Sequence, residues 1–166
     1  MKKIITALFL IAINLVNAQA FKGKGDDKFS VGANFQDGAS GIQVSYDLGM
    51  GPNISLGFTG GYLMGIDENP LYSPEFTDKI DFKARFNAHL CDVIGVKQLD
   101  VYPGLNIGLR NFGGHIGARY FFSDGFGIFT EGVFPIAKYD KNTDELQYQH
   151  LNNQFTFNIG AVFSMN

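Results

Sequence analysis

The sequence predicts an all-β fold: an eight-stranded antiparallel up-and-down transmembrane β-barrel preceded by a cleavable signal peptide. Three observations carry that prediction. Apolar and polar residues alternate with period two along nearly the whole chain beyond residue 20, and no stretch there keeps a helical period for three turns. The alternating runs are about ten residues long, which is what a tilted strand needs to cross a bilayer. The chain also opens with a basic start, an apolar run and a group of small residues, the order of a secretory signal.

The leader comes first. Met1-Lys2-Lys3 is basic, and Ile4 to Val16 is a mostly apolar run of 13 residues. A spanning helix needs about 20 residues, so the run reads as a leader rather than an anchor. Asn17-Ala18-Gln19-Ala20 supplies small residues for a cut after Ala18 or Ala20. Residues 1–20 are therefore assigned to the signal peptide and 21–166 to the barrel domain. No cysteine follows either cut, which excludes a typical lipoprotein end. Loss of Lys2 and Lys3 leaves 11 of the 13 basic residues against 16 acidic ones, a net charge of −5. That balance argues against a nucleic-acid partner, which calls for a basic patch. A single cysteine, Cys91, allows no internal disulfide, so packing and the strand ladder must hold the fold. Seventeen Phe, seven Tyr and 21 Gly favour strands and tight turns.

Each strand follows from its alternation. The first, Lys28 to Gln36, sets Phe29, Val31, Ala33 and Phe35 against Ser30, Gly32 and Asn34. The second, Gly41 to Met50, sets Ile42, Val44, Tyr46 and Leu48 against Gln43, Ser45 and Asp47. The third, Asn53 to Gly65, sets Ile54, Leu56, Phe58 and Tyr62 against Ser55, Gly57, Thr59 and Gly61. The fourth, Lys79 to Cys91, alternates without a break: Ile80, Phe82, Ala84, Phe86, Ala88 and Leu90 against Asp81, Lys83, Arg85, Asn87 and His89. The fifth, Leu99 to Asn111, carries Pro103, which cannot donate to a ladder, so Pro103-Gly104 is expected to form a bulge or bend. The sixth, Gly113 to Phe122, sets Ile116, Ala118 and Tyr120 against His115, Gly117, Arg119 and Phe121. The seventh, Gly127 to Lys138, is less regular, because Phe129 and Val133 share a face with Glu131. The eighth, Gln154 to Met165, sets Phe155, Phe157, Ile159, Ala161 and Phe163 against Thr156, Asn158, Gly160 and Ser164.

Asp37-Gly38, Gly51-Pro52-Asn53 and Asp124-Gly125 read as turns. The connection Asp92 to Gln98 is long for a turn. The two longest connections, Ile66 to Asp78 and Tyr139 to Asn153, are the third and the seventh. Both then fall at one end of an up-and-down barrel, which matches outer-membrane barrels with short periplasmic turns and long outer loops.

A soluble lipocalin-like barrel also alternates, with its apolar face inward. The polar face here is rich in Gly, Ser, Asn and Thr, unlike a water-facing surface, which carries more Lys and Glu. Aromatic residues also gather near strand ends on the apolar face, as an interfacial girdle does, although there is no Trp. With lipid outside, a Lys or Arg on the outer face costs about 2–4 kcal/mol at mid-bilayer. Lys83 and Arg85 must then point inward, where they need partners. The expected lumen network is Asp81, Lys83, Arg85, His89, Asp100, Arg110, Arg119 and Glu131, with Asp47 in the same phase. A three-residue loop Asp124-Gly125-Phe126 would place Arg119 opposite Glu131 as a cross-strand ion pair.

The run Gly117-Ala118-Arg119-Tyr120-Phe121-Phe122-Ser123-Asp124-Gly125-Phe126-Gly127-Ile128-Phe129-Thr130-Glu131 resembles the sixth-to-seventh hairpin of small outer-membrane β-barrel (porin-family) proteins of Gram-negative bacteria. The start, Phe29-Ser30-Val31-Gly32-Ala33-Asn34-Phe35, is similar to theirs as well. The resemblance implies an outer-membrane location, insertion by the barrel-assembly machinery and no particular activity. Such barrels usually end on an aromatic residue, whereas Phe163 is followed here by Ser164-Met165-Asn166.

Motifs for chemistry are sparse. His89, His115 and His150 lack zinc-ligand spacing and there is no CxxC, so neither a metal nor a cofactor is expected. Ser30, Ser45, Ser55 and His89 show no recognisable nucleophile-base pairing, and the chain reads as a non-enzyme. Asp67, Glu68, Glu75 and Asp78 make the first long loop acidic without matching a calcium loop. Tyr72, Phe76 and Tyr148 place aromatics in the long loops, where an extracellular ligand at 66–78 and 139–153 is a possible contact. The expected partners are outer-membrane lipid and the insertion machinery, with the barrel a monomer. A narrow channel for small solutes and a soluble exported carrier remain as alternatives.

Overall fold

The computed structural model describes residues 18–67, 73–139 and 150–165. The expected strands form, each close to its predicted bounds: β1 (Asp27–Gln36), β2 (Ala39–Gly51), β3 (Ile54–Ile66), β4 (Ile80–Ala88), β5 (Leu99–Gly108), β6 (Asn111–Ser123), β7 (Phe126–Lys138) and β8 (Thr156–Ser164). Each pairs antiparallel with the next, and β1 pairs with β8 to close the barrel. Two short helices sit in connections: α1 (Phe76–Lys79) before β4, and α2 (Cys91–Ile94) before β5. Leader residues 1–17 and loop residues Glu68, Tyr72 and Tyr148 lie outside the described residues.

The facing follows the alternation. Val31, Val44, Phe58, Phe82, Phe86, Ile107, Ile116, Ile128, Phe157 and Ile159 are exposed on the outer surface, whereas Ser45, Asp47, Asn87, Asp100, Arg119 and Asn158 are buried inside. Among the described residues, charged strand residues on the outer face occur only at the rims, at Asp27 and Lys138, and Asp27 accepts a hydrogen bond from the Tyr46 hydroxyl at 3.0 Å. Everything between is an uncharged band, which suits hydrocarbon because no outward group there needs a water shell. Around the inner end of that band Phe29, Phe163, Phe126, Phe122 and Tyr120 form a chain of ring contacts 5.3–6.4 Å apart. Tyr62 meets Phe76 at 6.2 Å near the outer end. Aromatic belts of this kind mark the two membrane-water interfaces of such barrels.

Several local expectations are corrected. β4 ends at Ala88 rather than Cys91, because the chain turns into α2, which Gly95 stops in the left-handed region at φ 74° with its N–H on the Cys91 carbonyl. The long Asp92–Gln98 connection therefore contains a helical turn. β5 ends at Gly108, and Leu109-Arg110 makes the turn to β6. Pro103 causes no register shift against β6, where it faces Ile116; its effect falls on the other edge, where the β4–β5 pairing stops at Asn87↔Gly104. That is the edge on which a missing N–H matters.

The β6–β7 hairpin also differs. The loop is Asp124-Gly125 with Ser123 opposite Phe126, and an irregularity between Phe121 and Ser123 absorbs a residue. Arg119 thereby faces Phe129, and Glu131 faces Gly117. The partner has moved by two residues, so every side chain keeps its face while the predicted pair is lost.

Candidate functional site

The interior is the feature this sequence has invested most in, and it divides into three layers. Near the inner end, where the short turns lie, Phe121 and Phe129 point into the lumen and pack with Val162, Ala18 and Ala20. Beside them Lys28, 1% exposed, is paired with Asp26 and lies 5.1 Å from the Phe121 ring centre. A buried ammonium needs a counter-charge, and Asp26 supplies it from just before β1.

The middle layer is a compact ion cluster. Asp47 on β2 is shared by two cations: Arg85 Nε on β4 at 3.3 Å and the guanidinium of Arg119 on β6. Arg85 also donates to Glu131 on β7 at 2.5 Å. The two acids balance the two bases, so the cluster is neutral as a whole. Tyr102 packs against both guanidinium groups, 4.1 Å from Arg119 and 5.6 Å from Arg85. Room for these rings in so narrow a lumen comes from glycine. Gly117 lies directly across from Tyr102 and Gly104 across from His115. A Cβ on either glycine would fall 2.2 or 2.3 Å from the opposing ring. Arg119–Glu131, the pair expected from the turn, is replaced by Arg119–Asp47 and Arg85–Glu131.

A directional hydrogen-bond chain crosses the same layer. Asn106 Nδ2 donates to His115 Nδ1 at 3.3 Å, and His115 Nε2–H donates to Asn87 Oδ1 at 2.7 Å. Asn87 Nδ2 donates to Asp47 Oδ1 at 3.1 Å and to Ser55 Oγ at 2.8 Å. The Ser55 hydroxyl donates to His89 Nε2 at 2.8 Å, and His89 Nδ1–H donates to Asp100 Oδ2 at 2.7 Å. These are the roles that satisfy the donor and acceptor needs of the neighbouring groups. Ser55, His89 and Asp100 thus stand in the order of a nucleophile, base and orienting acid, a grouping that sequence reasoning missed because they come from β3, the residue just after β4, and β5. All three are buried, at 1%, 1% and 0% exposure, and the Phe21 ring stacks on His89 at 3.6 Å.

The outer layer holds the remaining expected members. Asp81 and Lys83 pair with each other inside the outer half. Arg110 does not belong to the lumen: it sits at the rim, where it donates to the Thr77 carbonyl at 2.6 Å and lies 3.5 Å from Asp78, tying down α1. Its phase was right, but it lies in the turn beyond the end of β5. Asn34, Gln43, Thr59, Arg85, His115 and Glu131 are among the residues enclosing a space of about 20 Å³, which is room for a water molecule and not for a solute. Leu151, Asn152 and Asn153, at the end of the last connection, cover this end. Leu151 packs on Leu63, and Asn152 receives the Gln36 side chain on its backbone N–H at 2.8 Å while its own amide reaches the Asp78 carbonyl at 3.2 Å. Asn111 donates to the Asn152 carbonyl and to Asn153, each at 3.0 Å.

An apolar outer band, ringed by aromatics and wrapped around a lumen filled with neutralised charge, defines a β-barrel of the transmembrane type. The chain belongs to the family described as "Family of unknown function (DUF6646)", which it matches over residues 10–165. No curated protein matches it significantly. Among solved structures it is similar to a chain from "De novo design of transmembrane beta-barrels", with 12% identity and a TM-score of 0.56, covering 87% of this chain and 98% of that one. At that identity the likeness concerns the fold alone.

Proposed function

We propose that this protein is a closed, non-enzymatic barrel of the Gram-negative outer membrane, a monomeric porin-like scaffold without a pore, which holds its outer connections 66–78 and 139–153 at the cell surface for an extracellular ligand. The single observation that carries this reading is the combination of an uncharged outer band with the shared Asp47–Arg85–Glu131–Arg119 cluster inside. The first wants lipid. The second occupies the cross-section that a conducting pore would have to leave open. Delivery would use the leader and the barrel-insertion machinery. The expected result is an outer-membrane fraction whose unboiled and boiled forms migrate differently on a gel, and which adds no steady conductance to a planar bilayer. Recovery of the protein in the periplasmic supernatant, or stable single-channel steps, overturns the reading.

The Ser55–His89–Asp100 alignment is the observation that would favour a hydrolase. A nucleophile must be reached by a carbonyl and needs donors for the developing oxyanion. Ser55 Oγ is instead buried at 1% exposure between Asn87 and His89, with the His89 ring covered by Phe21. A serine-directed fluorophosphonate is therefore expected to leave Ser55 unmodified in the folded barrel. Modification at Ser55 that disappears in Ser55→Ala would make the protein an enzyme.

A further inference from the structure

The segment ahead of β1 does not trail into solvent. Ala20 donates its backbone N–H to the Lys97 carbonyl at 2.7 Å, and its methyl lies in the Phe121–Phe129–Val162 cluster. Phe21 is 2% exposed and stacks on His89 with the ring planes 9° apart. Cys91 Sγ approaches the Phe21 carbonyl at 3.9 Å. Further along, Lys22 N–H donates to Asp26 at 2.7 Å, and Gly25 N–H donates to the Gly49 carbonyl at 2.8 Å. Gln19 is the exposed residue among Ala18–Phe21.

The leader pattern leaves two cuts open, and Ala18-Gln19-Ala20 by itself fits the small-x-small rule with a cut after Ala20. The packing favours the other. A cut after Ala20 creates a charged α-ammonium on Phe21, a residue only 2% exposed whose ring stacks on His89, and removes the Ala20–Lys97 hydrogen bond and the Ala20 methyl from its cluster. Taking a new charge out of water is among the costlier changes a fold can suffer. A cut after Ala18 gives up the Ala18 methyl, which shares that cluster, but it puts the new ammonium on exposed Gln19 and keeps Ala20 and Phe21 in place.

We propose that the Ala18–Gln19 bond is the processing site, and that the retained segment Gln19–Gly25 is a plug that closes the inner mouth of the barrel through Phe21. The step is a hydrolysis by a leader peptidase: water adds a hydroxyl to the Ala18 carbonyl, and the new amine on Gln19 takes up the proton. Cys91, at 5% exposure beneath this plug, reports on it; burial pushes its thiol up to about 11, so it is protected from attack both by access and by protonation.

The test expresses the full chain in a Gram-negative host and maps the N-terminal peptide of the membrane-inserted protein by mass spectrometry. A mature end at Gln19 is expected; an end at Phe21, or retention of the leader, overturns the assignment. In parallel, reaction of Cys91 with a small water-soluble maleimide is expected to quicken roughly tenfold or more in Phe21→Ala and to stay slow in Phe21→Leu, with heat-shifted gel mobility retained in both. Equal rates in wild type and Phe21→Ala would remove the plug. Neither readout depends on whether the barrel conducts or binds a ligand, so the failure of this proposal and that of the proposed function are distinguishable.

Discussion

Asp47→Ala is expected to destabilise the folded barrel by roughly 3–5 kcal/mol, the cost of leaving a buried charge unpaired. Asp47 is the acid on which the middle layer converges. It accepts from Arg119, from Arg85 and from the Asn87 amide. Arg85 retains Glu131 when Asp47 is lost. Arg119 retains no acid within ion-pair distance among the described residues; its Nε and Nη1 already have no hydrogen-bond partner there, and it keeps the Tyr102 face at 4.1 Å and the more distant Asp100 across from it on β5. A cation-π contact offsets about 2 kcal/mol when desolvated, short of what a buried guanidinium needs. The double variant Asp47→Ala/Arg119→Met removes the stranded charge together with its partner and is expected to recover most of the loss, since replacing both members of a buried pair by apolar groups is often close to neutral. Denaturant unfolding of the barrel in lipid vesicles measures both. An Asp47→Ala barrel within about 1 kcal/mol of wild type, a loss ordinary for a single substitution, would mean that the cluster is not what holds the lumen together.

The strands and their facing were legible in the sequence because they rest on a strong physical asymmetry. Sending Lys83 and Arg85 to the lipid face costs several kcal/mol, and a period of two leaves only that alternative. Partner identity rests on something much weaker. A slip of two residues keeps every side chain on its face, so the irregularity beside Ser123 could trade Glu131 for Phe129 opposite Arg119 without disturbing the pattern from which the strands were read. The same holds for Ser55, His89 and Asp100. Each has an obvious lumen phase, but their meeting depends on the stagger of three strands, which no local pattern encodes. Lys28 and Asp26 escaped for a different reason. Asp26 precedes the first predicted strand, in a stretch with no alternation to give it a facing, and only the fold reveals that this stretch enters the lumen. Phe121 on the sixth strand and Phe129 on the seventh, both in lumen phase, signalled the inner apolar layer in advance. The phase of Phe129 looked like a defect of its strand, although it is what lets the inner mouth be closed together with Phe121, Val162 and Ala20.

Gly160→Val is expected to cost more than about 3 kcal/mol, beyond the usual price of overpacking, and to abolish the heat-shifted form under conditions in which wild type folds. The β1–β8 seam joins segments from opposite ends of the chain, and Gly32 and Gly160 face each other across it. A Cβ on Gly160 would lie 2.2 Å from the Val31 carbonyl oxygen and 2.4 Å from Gly32 Cα, and one on Gly32 would lie 2.4 Å from the Ile159 carbonyl oxygen. These are backbone atoms of the partner strand, so no rotamer change relieves the clash and the strands themselves must separate. Separation here is worse than in a soluble sheet. It exposes unpaired N–H and C=O groups of β1 and β8 to hydrocarbon, where no water can satisfy them. Gly61→Ala is the matched control: it lies on the same lumen face, but its Cβ would meet nothing closer than 3.7 Å, and it is expected to fold as wild type does. If Gly160→Val folds and shifts on heating like Gly61→Ala, the seam is held by something other than the close approach of these two glycines.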